Sequence, residues 1–428
     1  MKQKTLKSEF SVEGKGLHTG LELTASFHPA PDYYGYKIQR VDLDDRPILE
    51  AVAENVGDTR RGTVLGKGNR PFCGTIEHAM AALYALGVDN VLIRVNGPEL
   101  PILDGSAKPY VDEILRVGTV EQECEKEFLC VGEEIKYEDA QSGSVMVLVP
   151  SNSFSVDCLI TFDSELLDDQ VASLTRLKDF VSEIAPARTF VFVHEIEPLL
   201  SAGLIKGGDL DNAVVIYDKE VSQESLDRLC ELTGAEHHDA SEVGYLQHKP
   251  LGWYNEPARH KLLDILGDLA LIGRPIRGRI LATKPGHTVN NKFARKIRER
   301  FIRPYNSGFD EIIEFKNDRL FALKNLGRDF FLNPGKDAGI RMIEALTEAG
   351  KMLMSKYNIG KDKKYHIRVS NIELQHNFSP KGYVVFEVFA TNPLGFSGQG
   401  PVKDFCGVVF QRGNCVAKAN FSAELRKK

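Results

Sequence analysis

The chain has 428 residues, of which 42 % are hydrophobic and 27 % charged, a composition that fits a globular protein of two or three domains. A formal net charge of −6 argues against a broad nucleic-acid surface, and no run of about 18 apolar residues offers a membrane span. Seven scattered cysteines form no C-x-x-C pair, which excludes thiolate zinc sites and reads as the reduced thiols of a cytoplasmic protein.

The opening Met1-Lys2-Gln3-Lys4-Thr5 carries no apolar stretch of signal-peptide length. Gly14-Lys15-Gly16-Leu17-His18-Thr19-Gly20 lacks the spacing of a phosphate-binding loop and reads as a hairpin turn. A strand is expected over 20–27. A helix follows from Thr75 to Leu86, with Thr75 as N-cap and Gly87 as stop, and then a strand over 91–95. The acidic stretch Glu121 to Glu127 separates a first unit from a second. The second unit has strands at Ser144 to Val149 and Phe154 to Phe162, and a long helix that opens at Pro257 and stops at Gly273. After a strand at Arg279 to Thr283, a basic helix from Asn291 to Ile302 reads as a solvated face. Beyond Pro304-Tyr305-Asn306-Ser307-Gly308 one helix, about 339–357, precedes strands at 365–369, 383–391, 405–410 and 415–422. One helix followed by a row of long strands implies a sheet wrapped round a helix.

The helix at Pro257 carries the most chemistry. Leu262, Leu263, Ile265, Leu266 and Leu269 make it a buried helix, yet His260, Asp264 and Asp268 recur at i, i+4 and i+8 on one stripe. An imidazole and a carboxylate one turn apart can share a metal ion; a His–Asp hydrogen bond in a core fits the spacing equally well. Glu77-His78 at the start of the earlier helix supplies the residue types of a general base and a metal ligand, although most such pairs are ordinary surface. Gly286-His287 lies in a turn after a strand, where active-site groups often sit. Arg188-Thr189-Phe190 is also a plain strand start, and His237-His238-Asp239 falls in a polar loop assigned to solvent.

In chain order, Gly16-Leu17-His18-Thr19-Gly20, Thr75-Ile76-Glu77-His78, Asp89-Asn90, Asp104-Gly105-Ser106-Ala107, Arg188-Thr189-Phe190, Gly207-Gly208-Asp209-Leu210-Asp211-Asn212, Arg259-His260-Lys261-Leu262-Leu263-Asp264 with Gly267-Asp268-Leu269, and Gly286-His287 resemble the LpxC family of UDP-3-O-acyl-N-acetylglucosamine deacetylases. The resemblance covers roughly 1–303. It implies an α+β fold of two similar two-layer α/β sandwich domains, 1–124 and 125–303, with a zinc site between them. It makes His78, His260 and Asp264 the Zn²⁺ ligands and Glu77 the base that takes a proton from water. It makes Thr189 an oxyanion donor, and His287, held by Asp268, the acid. Lys261 and Phe190 match substrate-contacting positions, the lysine towards the diphosphate of an acylated UDP-N-acetylglucosamine. The family passes the fatty chain through the insert Phe190 to Gly208, whose apolar run is equally a core strand and helix.

Residues 304–428 resemble the hot-dog domain of FabZ-type 3-hydroxyacyl-thioester dehydratases, with Gly339 to Gly350 as the central helix and Val416 to Phe421 as the closing strand. Glu344 matches the dehydratase carboxylate. The histidine segment is replaced by Asp329-Phe330-Phe331-Leu332-Asn333-Pro334, so general acid–base dehydration loses half its machinery. The resemblance therefore implies a degenerate domain, a remnant that dimerises or binds acyl groups. The alternative for this domain is an active dehydratase on acyl carrier protein thioesters, and the alternative for the whole chain is a silent acyl-binding scaffold. A homo-oligomer is expected from the pairing habit of hot-dog sheets.

Overall fold

The computed structural model describes residues 1–67, 70–233, 236–246 and 248–301, and beyond these the strands named at the end of this subsection. Its chain divides into two compact units, Met1–Arg298 and Glu299–Lys428.

The first unit contains two five-stranded sheets of identical connectivity. One orders its strands Phe10–Lys15, Glu22–Pro29, Val91–Val95, Tyr36–Arg40 and Ile48–Glu50. The other orders Ile135–Asp139, Ser144–Val149, Arg279–Thr283, Ser155–Ile160 and Gln170–Leu174. In each, the last strand in sequence lies at the centre, antiparallel to the second and parallel to the third. Alternating burial along Glu22–Pro29 and Ser144–Val149 marks sheets with one covered face.

Seven helices of this unit, numbered in chain order, are α1 (Glu77–Ala85), α2 (Lys108–Val117), α3 (Phe180–Glu183), α4 (Val193–Ser201), α5 (Gln223–Thr233), α6 (Glu256–Ala270) and α7 (His287–Phe301). In each half one helix, α1 or α6, precedes the central strand and one, α2 or α7, follows it. Both halves carry a small three-stranded sheet ahead of the helix that precedes the central strand: Val56–Asp58, Val64–Lys67 and Arg70–Cys73 in one, and Phe190–Phe192, Val214–Tyr217 and Gly244–Leu246, with α4 and α5 between them, in the other.

α1 and α6 pack against each other and are buried almost throughout. Their close approach depends on Gly267: a Cβ there would lie 2.1 Å from the Glu77 carbonyl oxygen. α6 opens with Pro257 in its first turn, and Gly273 (φ 80°) follows its end, as the sequence implies.

Three local readings differ from the structure. Thr75 does not cap α1. It adopts φ 53°, its hydroxyl donates to Glu99 Oε2 (3.1 Å), and Ile76 takes the N-cap position without a side-chain bond. The acidic stretch after Thr119 is no linker, since Thr119–Glu125 forms a strand antiparallel to Lys2–Leu6. The basic helix α7 is not merely a solvated face. Arg295 donates to the Ala53 and Val56 carbonyls, and buried Arg298 donates to Glu54 (2.6 Å) and the Ile272 carbonyl (2.5 Å). Cations on that face therefore donate into the carbonyls and carboxylate packed against the helix rather than only to water.

In the second unit an antiparallel sheet runs in the order Arg319–Leu320, Glu311–Lys316, Tyr365–Leu374, Lys381–Ala390, Val402–Gln411 and Asn414–Ala417. Its three long strands cover those expected near 365, 383 and 405. The expected helix 339–357, Glu344 and the segment 329–334 lie outside the described residues.

Candidate active site

The stripe on α6 faces the start of α1. His78, His260 and Asp264 are buried, and one ligand atom from each lies within 4.8 Å of the others. The two imidazoles meet edge to face with centroids 5.1 Å apart. His260 Nδ1–H donates to the Ala187 carbonyl (3.0 Å), leaving Nε2 3.4 Å from Asp264 Oδ1. Such a bond fixes both the tautomer and the ring plane of a ligating histidine. His78 Nδ1 and Asp264 Oδ1 are buried without a hydrogen bond. Burial holds His78 down at about 3, helped by His260, and lowers His260 against the pull of Asp264. Both rings are therefore neutral, the form that binds a metal. Burial alone would raise Asp264, but Lys261, His260 and His287 hold it well below the usual carboxylate range. Two neutral imidazoles, one carboxylate and two orphaned buried atoms fit a divalent cation with an open coordination position.

Two further groups adjoin the cluster. Burial pushes Glu77 up to about 7, opposed by His287. Glu77 Oε2 accepts the backbone N–H of Thr63 (3.0 Å). His287, at the start of α7, donates from Nδ1 to Asp268 Oδ2 (3.0 Å); its Nε2 lies 3.9 Å from Glu77 Oε1 and 3.8 Å from Asp264 Oδ2. Burial opposes a charge on this ring, but Asp268, Asp264 and Glu77 outweigh it and raise His287 to about 9. The site thus holds a carboxylate poised near neutrality beside an imidazolium, a pairing suited to taking one proton and giving another.

Thr189 and Phe190 line the same open cavity of about 630 Å³, together with Lys261, Leu17 and Ile102. Thr189 is fixed through its backbone, donating to Gly105 O (2.8 Å) and accepting from Val214 N (2.7 Å). Gly105 has φ 79°, and a Cβ on it would lie 1.8 Å from Asn212 O, which explains the glycine in the Asp104-Gly105-Ser106 motif. Just before Thr189, buried Arg188 pairs with Glu256 (2.9 Å) and so ties this strand to the start of α6. The Lys261 ammonium is bonded to Asp264 Oδ2 (2.9 Å) and lies 5.5 Å from the Phe190 ring centre.

Other motifs prove architectural. Glu99 accepts the His18 and Thr19 backbone N–H groups and both the Thr19 and Thr75 hydroxyls, which pins the Gly16–Gly20 turn beside α1. Asp89 and Asn90 bind Lys4 N, Gly35 N and Gln3 just before the first sheet's central strand. From the insert, Val193 and Ile196 join Leu210, Val215 and Tyr217 in a core cluster of their own. His237 is exposed and paired with Asp227, as a solvent loop should be.

Sequence reading missed two residues. Asn290, one turn after His287, donates to Asp268 Oδ2 (2.9 Å), and that spacing on a helix was its signal. Thr63 gave none, because it reaches Asp268 across 205 positions of chain.

A buried His₂Asp cluster flanked by a carboxylate and an imidazolium, set where two α/β halves meet, defines a class of hydrolytic site. A family model described as LpxC, UDP-3-O-acyl N-acetylglycosamine deacetylase, matches residues 3–232 and 238–299. The chain belongs to this family. It is 45 % identical to the bifunctional enzyme LpxC/FabZ of Bacteroides thetaiotaomicron over 100 % of this chain and 99 % of that one. It is 43 % identical to the enzyme of the same name in Porphyromonas gingivalis over 99 % and 98 % of the two chains. Against the UDP-3-O-acyl-N-acetylglucosamine deacetylase of Myxococcus xanthus it is 37 % identical, over 69 % of this chain and 86 % of the other. The Bacteroides alignment spans 463 positions, about 35 more than the 428 residues present here.

Proposed function

We propose that this protein hydrolyses the acetamide of a UDP-3-O-(3-hydroxyacyl)-N-acetylglucosamine, releasing acetate and a free amine, with a zinc ion held by His78, His260 and Asp264. The observation that carries the reading is the orphaned donor pair, His78 Nδ1 and Asp264 Oδ1, inside a buried cluster that Glu77 and His287 adjoin. Zinc in that position supplies Lewis acidity to the acetamide carbonyl and to water. Glu77 takes a proton from the attacking water. As the new C–O bond forms, the carbonyl oxygen gains negative charge that Thr189, on the cavity wall, is placed to meet. His287, oriented by Asp268, gives a proton to the nitrogen as the C–N bond breaks. Lys261 offsets the charge of Asp264 and adds a cation to the cavity, while Phe190 offers an apolar face to sugar or acyl chain. Among the described residues no helix is long and apolar enough to cross a membrane, and five cysteines are free thiols, which favours work in the cytoplasm.

Residues 304–428 are proposed as a hot-dog domain that dimerises or binds acyl groups. Support comes from the missing histidine in the segment 329–334 and from the shortfall against full-length relatives. The names of those relatives favour a second reading, in which the domain also dehydrates 3-hydroxyacyl thioesters of acyl carrier protein.

Acetate release from the acylated UDP-sugar tests the first reading. Wild type should lose activity to a chelator and regain it with zinc, and Asp264→Ala should stay inactive. No activity in freshly metallated wild type would overturn the reading and leave an acyl-binding scaffold. Turnover of a 3-hydroxyacyl thioester that Glu344→Gln abolishes would establish the second.

A further inference from the structure

The proton acceptor and the proton donor of this site come from different halves of the first unit, Glu77 on α1 and His287 on α7. One residue touches both arms, with its backbone on one and its side chain on the other. Thr63 is fully buried, and its backbone N–H donates to Glu77 Oε2 (3.0 Å). Its hydroxyl donates to Asp268 Oδ1 and lies 3.3 Å from His287 Nδ1. Asp268 is therefore held from three sides, by Thr63 on one oxygen and by His287 and Asn290 on the other. With both oxygens engaged the carboxylate cannot turn, and the imidazole bonded to it keeps Nε2 towards Glu77. The loop before Thr63 is fixed at the same place, because a Cβ on Gly62 would lie 3.0 Å from Glu77 Oε1.

We propose that Thr63 is a positioning residue of the deacetylation reaction: its backbone sets Glu77, its hydroxyl sets the Asp268–His287 pair, and together they fix the spacing of proton acceptor and donor. This rests on the hydrolytic reading above and deepens it. Thr63 does not touch the reacting atoms, so removing its hydroxyl acts through orientation. Misplacement of a reacting group by about 1 Å can cost about a hundredfold in rate.

The test compares side chains that separate shape from hydroxyl. Thr63→Val keeps the shape and loses the hydroxyl; Thr63→Ser does the reverse. Thr63→Ser and Thr63→Ala share the same lost methyl and differ only in the hydroxyl. The measurements are kcat and KM for acetate release from the acylated UDP-sugar, with bound zinc and thermal unfolding recorded for each protein. Positioning requires kcat to fall about tenfold to a hundredfold in Thr63→Val, with KM within about threefold and zinc content unchanged. Thr63→Ser should stay within about threefold of wild type and well above Thr63→Ala. If Thr63 only fills space, the order reverses and Thr63→Ser becomes slower than Thr63→Val. Equal kcat in wild type and Thr63→Val would also overturn the proposal. Should Thr63→Val fail to fold, Ser against Ala still decides. An inactive wild type would instead remove the hydrolytic reading itself.

Discussion

Gly267→Ala sets local helix preference against tertiary packing. Within an isolated helix the change stabilises by about 1 kcal/mol, because alanine is the better helix former. In the folded protein the new Cβ would stand 2.1 Å from Glu77 O, 2.8 Å from its carbonyl carbon and 2.9 Å from its Cα. Those atoms are backbone, so no rotamer relieves the clash. Bringing the nearest contact to about 3.0 Å, the least that real Cβ atoms show, moves α1 from α6 by at least about 0.9 Å. Overpacking of this kind costs about 1–3 kcal/mol, which outweighs the propensity gain at its upper end and leaves a net loss of about 2 kcal/mol. At roughly 2–4 °C per kcal/mol, Tm should fall by about 4–8 °C. The displacement also separates His78 from His260 and Asp264, and a zinc ion held by the three, as proposed, would tolerate bonds of only about 2.0–2.2 Å. A shift near 1 Å should lower kcat by about a hundredfold and weaken zinc retention. Thermal unfolding, zinc content after dialysis at fixed free zinc, and acetate release are measured on one preparation. A Gly267→Ala protein with unchanged or higher Tm and wild-type kcat would refute the reasoning.

The Arg188–Glu256 pair is buried, so Glu256→Gln strands a guanidinium and should cost about 3–5 kcal/mol by denaturant titration. Burial would raise Glu256, yet the Arg188 bonds hold it below the ordinary glutamate range. Its stabilisation is present above the unfolded value of about 4.3 and is lost as pH falls through the folded value. Wild type should therefore lose stability on acidification more steeply than Glu256→Gln; parallel acid limbs would contradict this. Arg298→Met removes donors from Glu54 and the Ile272 carbonyl and should destabilise by about 3 kcal/mol, while wild-type Tm would count against a clamp. Gly105→Ala meets both positive φ and the Asn212 carbonyl at 1.8 Å. Because Gly105 also holds Thr189, acetate release should fall with Tm, and an unchanged rate would separate the two.

Much of the site was legible because its ligands sit on helices. The i, i+4, i+8 stripe of His260, Asp264 and Asp268 places three polar groups on one face of an otherwise apolar helix, whatever that helix packs against. The element order around α1, α6 and the central strands followed from periodicity and glycine stops. Other features depend on tertiary pairing. Thr75 has the residue type of a helix cap, but its hydroxyl donates to buried Glu99, 24 positions further along the chain. Arg295 and Arg298 look like solvated charge until the Ala53–Val56 segment brings its carbonyls against α7. Thr63 is silent for the same reason. Nothing near it in sequence distinguishes a loop threonine that meets Asp268 from one that meets water.

The duplicated sheet order explains why the site lies where it does. Each half supplies one helix ahead of its central strand, and the two helices cross with Gly267 against Glu77. Of the buried cluster, α1 offers His78, beside Glu77, while α6 offers His260 and Asp264, so among the described residues neither half alone supplies all three candidate ligands. His287, the proposed donor, enters on α7, the helix after the second central strand; its counterpart in the first half, α2, opens at Ala107-Lys108 and carries no histidine. On the proposed reading, two halves of the same sheet order thus make unlike contributions, base and one ligand from the first, two ligands and the acid from the second. Coupling between them then has to pass through residues that reach across, and Thr63 is the first-half residue that meets Asp268 and His287. The same logic makes the crossing glycine more sensitive than its size implies. Any side chain at 267 alters ligand geometry and base position together, so zinc retention and kcat should fall in step across Gly267→Ala and Gly267→Ser. A variant that lost kcat at full zinc occupancy would show that the crossing sets the base independently of the ligands.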